Sequence, residues 1–71
     1  MPSATARDFQ KVARALGFTK TRQKGSHERW NRPDGRAVTI PLHAGREIGP
    51  PLFFKIVRQM GISVEEFQRL R

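Results

Sequence analysis

The chain contains no cysteine, and this absence excludes two kinds of structural support. Neither a disulfide framework nor a Cys-ligated zinc site can form. Its two histidines, His27 and His43, have no carboxylate at ligand spacing, so we expect no structural metal and no cofactor. No apolar run is long enough to span a bilayer, and residues 1–6 lack the apolar stretch of a signal peptide. A soluble cytoplasmic protein is the expectation.

Acidic residues are also scarce, with six Asp and Glu against fourteen Lys and Arg and a net charge of +8. Such an excess favours polyanions, which include nucleic acid, an anionic membrane surface and an acidic protein. The cations are concentrated in residues 20–36, which lack the pattern of an amphipathic membrane helix, so nucleic acid is favoured. The length predicts one domain over residues 1–71, burying only about 60% of its unfolded surface.

A helix is predicted after Thr5, because Thr5 and Asp8 have the spacing of a capping box. Gly17 is placed to end this helix in the left-handed conformation. Four apolar residues recur at helical spacing and are assigned to the core: Phe9, Val12, Ala13 and Leu16.

Beyond Phe18 the period changes to two, which predicts three strands over residues 19–24, 26–32 and 36–43. Alternation in the first strand puts Lys20, Arg22 and Lys24 on one face. Gly25 marks a turn, and the Pro-Asp-Gly sequence at 33–35 closes a hairpin between the other two strands.

The hairpin register follows from a three-residue loop, which pairs Arg32 with Arg36. Trp30 then faces Val38 on an apolar face, so we assign Trp30 to the core. On the opposite face His27 pairs with Pro41, and His43 becomes its diagonal neighbour, about 7–8 Å away. Pro41 lacks a ladder donor, which makes the third strand an edge.

A second helix is predicted to open at residues 49–51, with proline tolerated in its first turn, and to end at Gly61. Residues 63–66 form a capping box for a short last helix. The second helix has an apolar stripe of Phe53, Ile56, Val57 and Met60. The predicted fold is α+β, with the order α-β-β-β-α and a short extra C-terminal helix. Its three-stranded antiparallel sheet carries the helices on one face.

The stretch from Lys24 to Trp30 is the candidate for chemistry. His27 can take or give a proton near neutral pH, and Lys24 and Arg29 beside it supply positive charge. Gly25 lets the backbone of an anion approach closely. These residue types point to phosphate chemistry, with nucleic acid as the source of the phosphate. The alternative is a solvated basic strand whose histidine has no task.

At several motifs the sequence resembles the HicA family of bacterial toxin–antitoxin toxins, also called YcfA-like proteins. The resemblance extends from about Arg7 to Leu70. Its motifs are Gly17-Phe18, residues 22–27 (Arg-Gln-Lys-Gly-Ser-His), residues 33–36 (Pro-Asp-Gly-Arg), residues 38–41 (Val-Thr-Ile-Pro) with His43, and residues 56–63 (Ile-Val-Arg-Gln-Met-Gly-Ile-Ser).

The resemblance implies a fold like the double-stranded-RNA-binding domain and metal-independent cleavage of mRNA with His27 catalytic. It also implies a HicB-type antitoxin partner that covers the site. Family members often carry Gly-Thr where this chain has Pro51 and Leu52, a departure that weakens the expectation of an anion site at the start of the second helix.

The leading hypothesis is therefore a small endoribonuclease toxin with His27 as general acid or base. His43 is either a second proton carrier or a surface histidine. Six residues are assigned to RNA phosphate binding: Lys20, Arg22, Lys24, Gly25, Ser26 and Arg29. The alternatives are a non-catalytic RNA-binding module and a protein–protein partner whose basic face meets an acidic protein.

Overall fold

The computed structural model describes residues 2–71 as a three-stranded sheet with three helices. In chain order the elements are α1 (Ala6–Ala15), β1 (Thr19–Lys24), β2 (His27–Asn31), β3 (Ala37–Pro41), α2 (Leu52–Met60) and α3 (Val64–Leu70). The sheet is antiparallel with the strand order β1-β2-β3. The predicted α-β-β-β-α order with an extra C-terminal helix is confirmed.

Helix α1 begins with the predicted capping box. The Thr5 hydroxyl accepts from the Asp8 N–H at 3.2 Å, and the Asp8 carboxylate accepts from the Thr5 N–H at 3.1 Å. Gly17 has φ 90°, a conformation that favours glycine, and the Phe18 N–H closes the helix on the Ala13 carbonyl. Both predicted ends of α1 are confirmed.

The hairpin has the predicted register, with Trp30 opposite Val38 and His27 opposite Pro41. Both paired strands are shorter than predicted, because residues 26 and 32 lie outside β2 and β3 spans only Ala37–Pro41. His43 therefore lies beyond the end of β3, in a turn where its carbonyl accepts from the Arg46 N–H.

Strand β1 departs from the predicted alternation. A bulge at Thr21 makes Lys20 the partner of Trp30, whereas Arg22 pairs with Arg29. One inserted residue moves the side chains that precede it to the opposite face of the sheet from the one that strict alternation predicts. The prediction that Lys20 shares a face with Arg22 and Lys24 is wrong.

The core lies between one face of the sheet and the helices, as predicted. Trp30, Val38 and Ile40 from the sheet join buried residues of all three helices. The rings of Phe9, Phe53 and Phe67, one from each helix, pack with centroids 5.1–5.8 Å apart. Trp30 is 3% exposed, which confirms its assignment to the core.

Helices α2 and α3 are joined across Gly61, whose φ of 80° forms the left-handed end of α2. At the start of α3 the Ser63 hydroxyl accepts from the Glu66 N–H at 3.1 Å. The Glu66 carboxylate pairs with Arg69 at 2.6 Å and does not complete the predicted capping box. None of the helices within residues 2–71 has the length and apolar character needed to cross a membrane.

Candidate active site

The sheet face turned away from the helices carries the histidine and its cations. His27 and Arg29 alternate with buried Glu28 and Trp30 along β2, so both are exposed on this outer face. In β1, Lys24 lies directly opposite His27 and Arg22 lies directly opposite Arg29. The structure thus brings His27, Arg22, Lys24 and Arg29 together, as the sequence predicted.

This arrangement places like charges across the ladder. Arg22 and Arg29 are Cα partners, and like charges directly opposite each other destabilise a sheet. Within residues 2–71 the side chains of Arg22 and Lys24 have no carboxylate partner. A bound anion would relieve the repulsion, so the face is suited to an anionic ligand.

The other three cations of residues 20–36 are engaged in structural contacts. Lys20 Nζ lies 3.5 Å from the Glu28 carboxylate, on the core side of the sheet. The remaining two are Arg32, which pairs with Asp34 and donates to the Leu16 carbonyl, and Arg36, which donates to the Gln59 carbonyl. Lys20 is therefore not part of the cationic cluster on the outer face.

A shallow cavity of about 470 Å³ lies among these outer-face side chains, and we call it the strand pocket. It is lined by Arg22, Lys24, His27, Arg29 and Thr39 together with Glu28. The Arg29 guanidinium donates to the Thr39 hydroxyl at 3.0 Å, which holds the cation at the pocket wall.

A second cavity of about 290 Å³, the helix pocket, adjoins the first and shares His27 and Thr39 with it. His43 also lines the helix pocket, so both histidines border one cavity. It does so from beyond the end of β3 and not as the diagonal strand neighbour that the sequence predicted. Helix α2 adds Lys55 and Gln59, which sequence reasoning missed.

Thr39, Lys55 and Gln59 were not predicted as site residues, and only one of them could have been predicted from the sequence. Thr39 could have been found, because the correct hairpin register already placed it opposite Arg29. No local pattern reveals Lys55 and Gln59, because their position depends on how α2 packs beside β3.

The turn between β1 and β2 holds the remaining two predicted residues. Gly25 has φ 58° and Ser26 is exposed, and neither lines the strand pocket or the helix pocket. The Ser26 carbonyl accepts from the Leu42 N–H, which fastens the turn to the chain beyond β3. Phosphate binding by Gly25 and Ser26 stays a prediction.

Glu28 is the buried charge directly behind the site, with 5% of the residue exposed. Its Oε1 accepts from Gln10 Nε2 at 2.8 Å and from Trp30 Nε1 at 3.1 Å. Burial by itself would raise the pKa of the Glu28 carboxyl. The hydrogen bonds from Gln10 and Trp30 and the Lys20 ammonium outweigh burial, so the pKa lies below its ordinary value of 4.5.

Acid should therefore destabilise the fold through Glu28. A carboxyl whose pKa is lowered by folding stabilises the protein above its unfolded pKa, and the contribution is lost as pH falls through the folded value. We expect the free energy of unfolding to fall below about pH 4.5, and less steeply in Glu28→Gln, which should lose about 1 kcal/mol at pH 7. Urea unfolding from pH 7 to pH 3 measures both effects.

Glu65→Gln is the matched control, because Glu65 is an exposed α3 carboxylate without an ion pair among the described residues. This variant should follow the wild-type pH dependence. An identical acid profile for Glu28→Gln and wild type would show that Glu28 is not the group responsible.

The fold and this face define a small basic α+β protein that presents a histidine among cations on an open sheet. The family model for the HicA toxin of bacterial toxin–antitoxin systems matches residues 6–62. The chain therefore belongs to the HicA toxin family. Membership implies a toxin of a toxin–antitoxin pair, with an antitoxin as its partner. Comparison with curated proteins gave no significant match.

Proposed function

We propose that this toxin is an endoribonuclease that cleaves mRNA at the outer face of its sheet. The observation that carries the proposal is the exposed His27 among Arg22, Lys24 and Arg29. The one carboxylate near them, Glu28, is buried behind the outer face and already accepts from Gln10 and Trp30. Cations of this kind bind phosphate, and a histidine transfers protons near neutral pH.

The proposed reaction joins the ribose 2′-oxygen to phosphorus and breaks the bond from phosphorus to the 5′-oxygen of the next nucleotide. One proton leaves the 2′-hydroxyl and one is delivered to the departing 5′-oxygen. His27 performs one of these transfers, as base or as acid. Arg29, held by Thr39, and Lys24 stabilise the negative charge that develops on the phosphate, and Arg22 holds the strand.

Cleavage of a labelled transcript by the purified protein in EDTA tests the proposal. Because side chains supply both proton transfer and charge stabilisation, we expect cleavage to persist in the chelator. RNA that is bound but remains intact would favour the alternative of a non-catalytic RNA-binding module, which uses shape and phosphate contacts alone.

We assign the second proton transfer to His43, which lines the helix pocket together with His27. His43→Ala should lower the cleavage rate by on the order of 100-fold, the lower end of the range for a general acid or base. His43 is exposed outside the strands, so circular dichroism and the melting temperature should stay near wild type. Full activity in this variant would leave His27 as the only histidine in the chemistry.

The partner antitoxin is proposed to be of the HicB type and to cover the His27 face. It should offer acidic or polar groups to Arg22, Lys24 or Arg29, and such charge pairing would speed association and weaken with salt. Antitoxin binding should protect His27 from diethyl pyrocarbonate. Unchanged modification of His27 in the complex would contradict neutralisation by covering the site.

A further inference from the structure

The helix pocket has a set of polar groups that the proposed proton transfers do not use. Besides the two histidines, it is lined by Leu52, Lys55 and Gln59 from one side of α2. These three positions are spaced i, i+3 and i+7, so they form one stripe along the helix. At about 290 Å³ the cavity is just smaller than typical ligand pockets, which span about 300–1,000 Å³.

The Gln59 amide has a fixed orientation. The Thr39 backbone N–H, at the free edge of β3, donates to Gln59 Oε1 at 3.0 Å. A backbone N–H can only donate, so the amide oxygen must face Thr39 and the Nε2 group is turned away from it. Among residues 2–71 this NH₂ group has no hydrogen-bond acceptor, and Gln59 lines the helix pocket. Two donors are thus left for a ligand.

The other two residues of the stripe complete a small binding site. Lys55 is exposed one turn before Gln59 and adds further donors. Leu52 is 38% exposed, one of two large apolar side chains so exposed in the described chain, and it contributes an apolar wall. An apolar wall with a few convergent polar groups is the usual construction of a small-ligand pocket.

We propose that the helix pocket binds the nucleobase next to the cleaved phosphate and selects a base with adjacent acceptors, as guanine has in O6 and N7. The proposal rests on the endoribonuclease function. Because His27 and Thr39 line both pockets, a phosphate bound at His27 would place its neighbouring base beside α2. Adenine presents its N6 amino donor in place of O6, and that donor would meet the donors of Gln59 and Lys55.

Cut-site mapping on an RNA pool with all four bases at each position tests the proposal. Wild type should cut where guanine flanks the broken bond. Gln59→Glu keeps an acceptor for the Thr39 N–H but removes the two donors, so its preference for guanine over adenine should fall by about 5- to 100-fold. Gln68→Glu is the control, because it changes the charge equally on the exposed face of α3.

The outcomes distinguish a failure of base binding in the helix pocket from a failure of the endoribonuclease proposal. If wild type cuts without base preference, or if wild type and Gln59→Glu show the same preference, base selection by the helix pocket is overturned and the endoribonuclease proposal still stands. If wild type leaves the RNA uncut, both the endoribonuclease proposal and base selection by the helix pocket are refuted. If Gln59→Glu fails to fold, Leu52→Ala and Lys55→Met, both at exposed positions, should relax the guanine preference, and unchanged preference in both would equally overturn the proposal.

Discussion

His27→Ala is expected to abolish growth arrest on expression and to reduce RNA cleavage by about 10²- to 10⁴-fold, the usual contribution of a general acid or base. The fold should survive, because His27 is exposed on the outer face and its side chain forms no hydrogen bond within residues 2–71. Replacing such a residue changes the free energy of unfolding by no more than about 0.5 kcal/mol. RNA binding and antitoxin binding should both be retained.

The control is Thr19→Ala, a substitution at another exposed strand position that lies outside both pockets. This variant should cleave as wild type does. Cleavage by His27→Ala at the wild-type rate would refute the catalytic assignment and favour a non-catalytic RNA-binding module.

The nucleophile can be tested in the same assay. A substrate with 2′-deoxyribose at the cut site should resist wild type, because the proposed reaction needs the 2′-hydroxyl. Normal cleavage of that substrate would instead identify water as the attacking group and His27 as the residue that activates it.

Replacing Arg22, Lys24 and Arg29 together by alanine should nearly abolish RNA binding. With about four phosphates contacted, three of them by these residues, the log–log salt slope on single strands should be near −3 for wild type and near −1 for the triple variant. At 0.1 M salt this difference corresponds to a loss of about 100-fold in affinity. Titrations at several salt concentrations measure both quantities.

A second triple variant provides the control, with three exposed cations outside the two pockets replaced by alanine: Arg7, Lys11 and Arg58. Both triple variants lower the net charge equally, from +8 to +5. Equal losses of affinity would show that RNA responds to total charge and not to the outer face.

Stability gives an independent check on the same site. The Arg22–Arg29 pair opposes like charges across the ladder, so its removal should not lower the melting temperature. A large decrease would mean that these cations hold the sheet together.

The sequence by itself determined the elements and the hairpin register. Both depend on local causes: the capping residues of α1, the alternation of apolar side chains, and the turn at 33–35, where the Asp34 carboxylate accepts from the Arg36 N–H. Because a strand alternates with period two, the same register that buried Trp30 also put His27 on the outer face. The centre of the candidate site was therefore visible in the sequence.

The role of each cation was decided only by the tertiary structure. Six basic residues fall within residues 20–36, and their sequence neighbours do not distinguish them. The bulge at Thr21 turns Lys20 toward Glu28, and contacts distant in sequence engage Arg32 and Arg36. Lys55 and Gln59 reach the site because core packing sets α2 beside the free edge of β3, where the Thr39 N–H has no strand partner and donates to Gln59 instead. Packing and pairing between distant segments are not encoded in any local pattern, so the helix side of the site could not be predicted from the sequence.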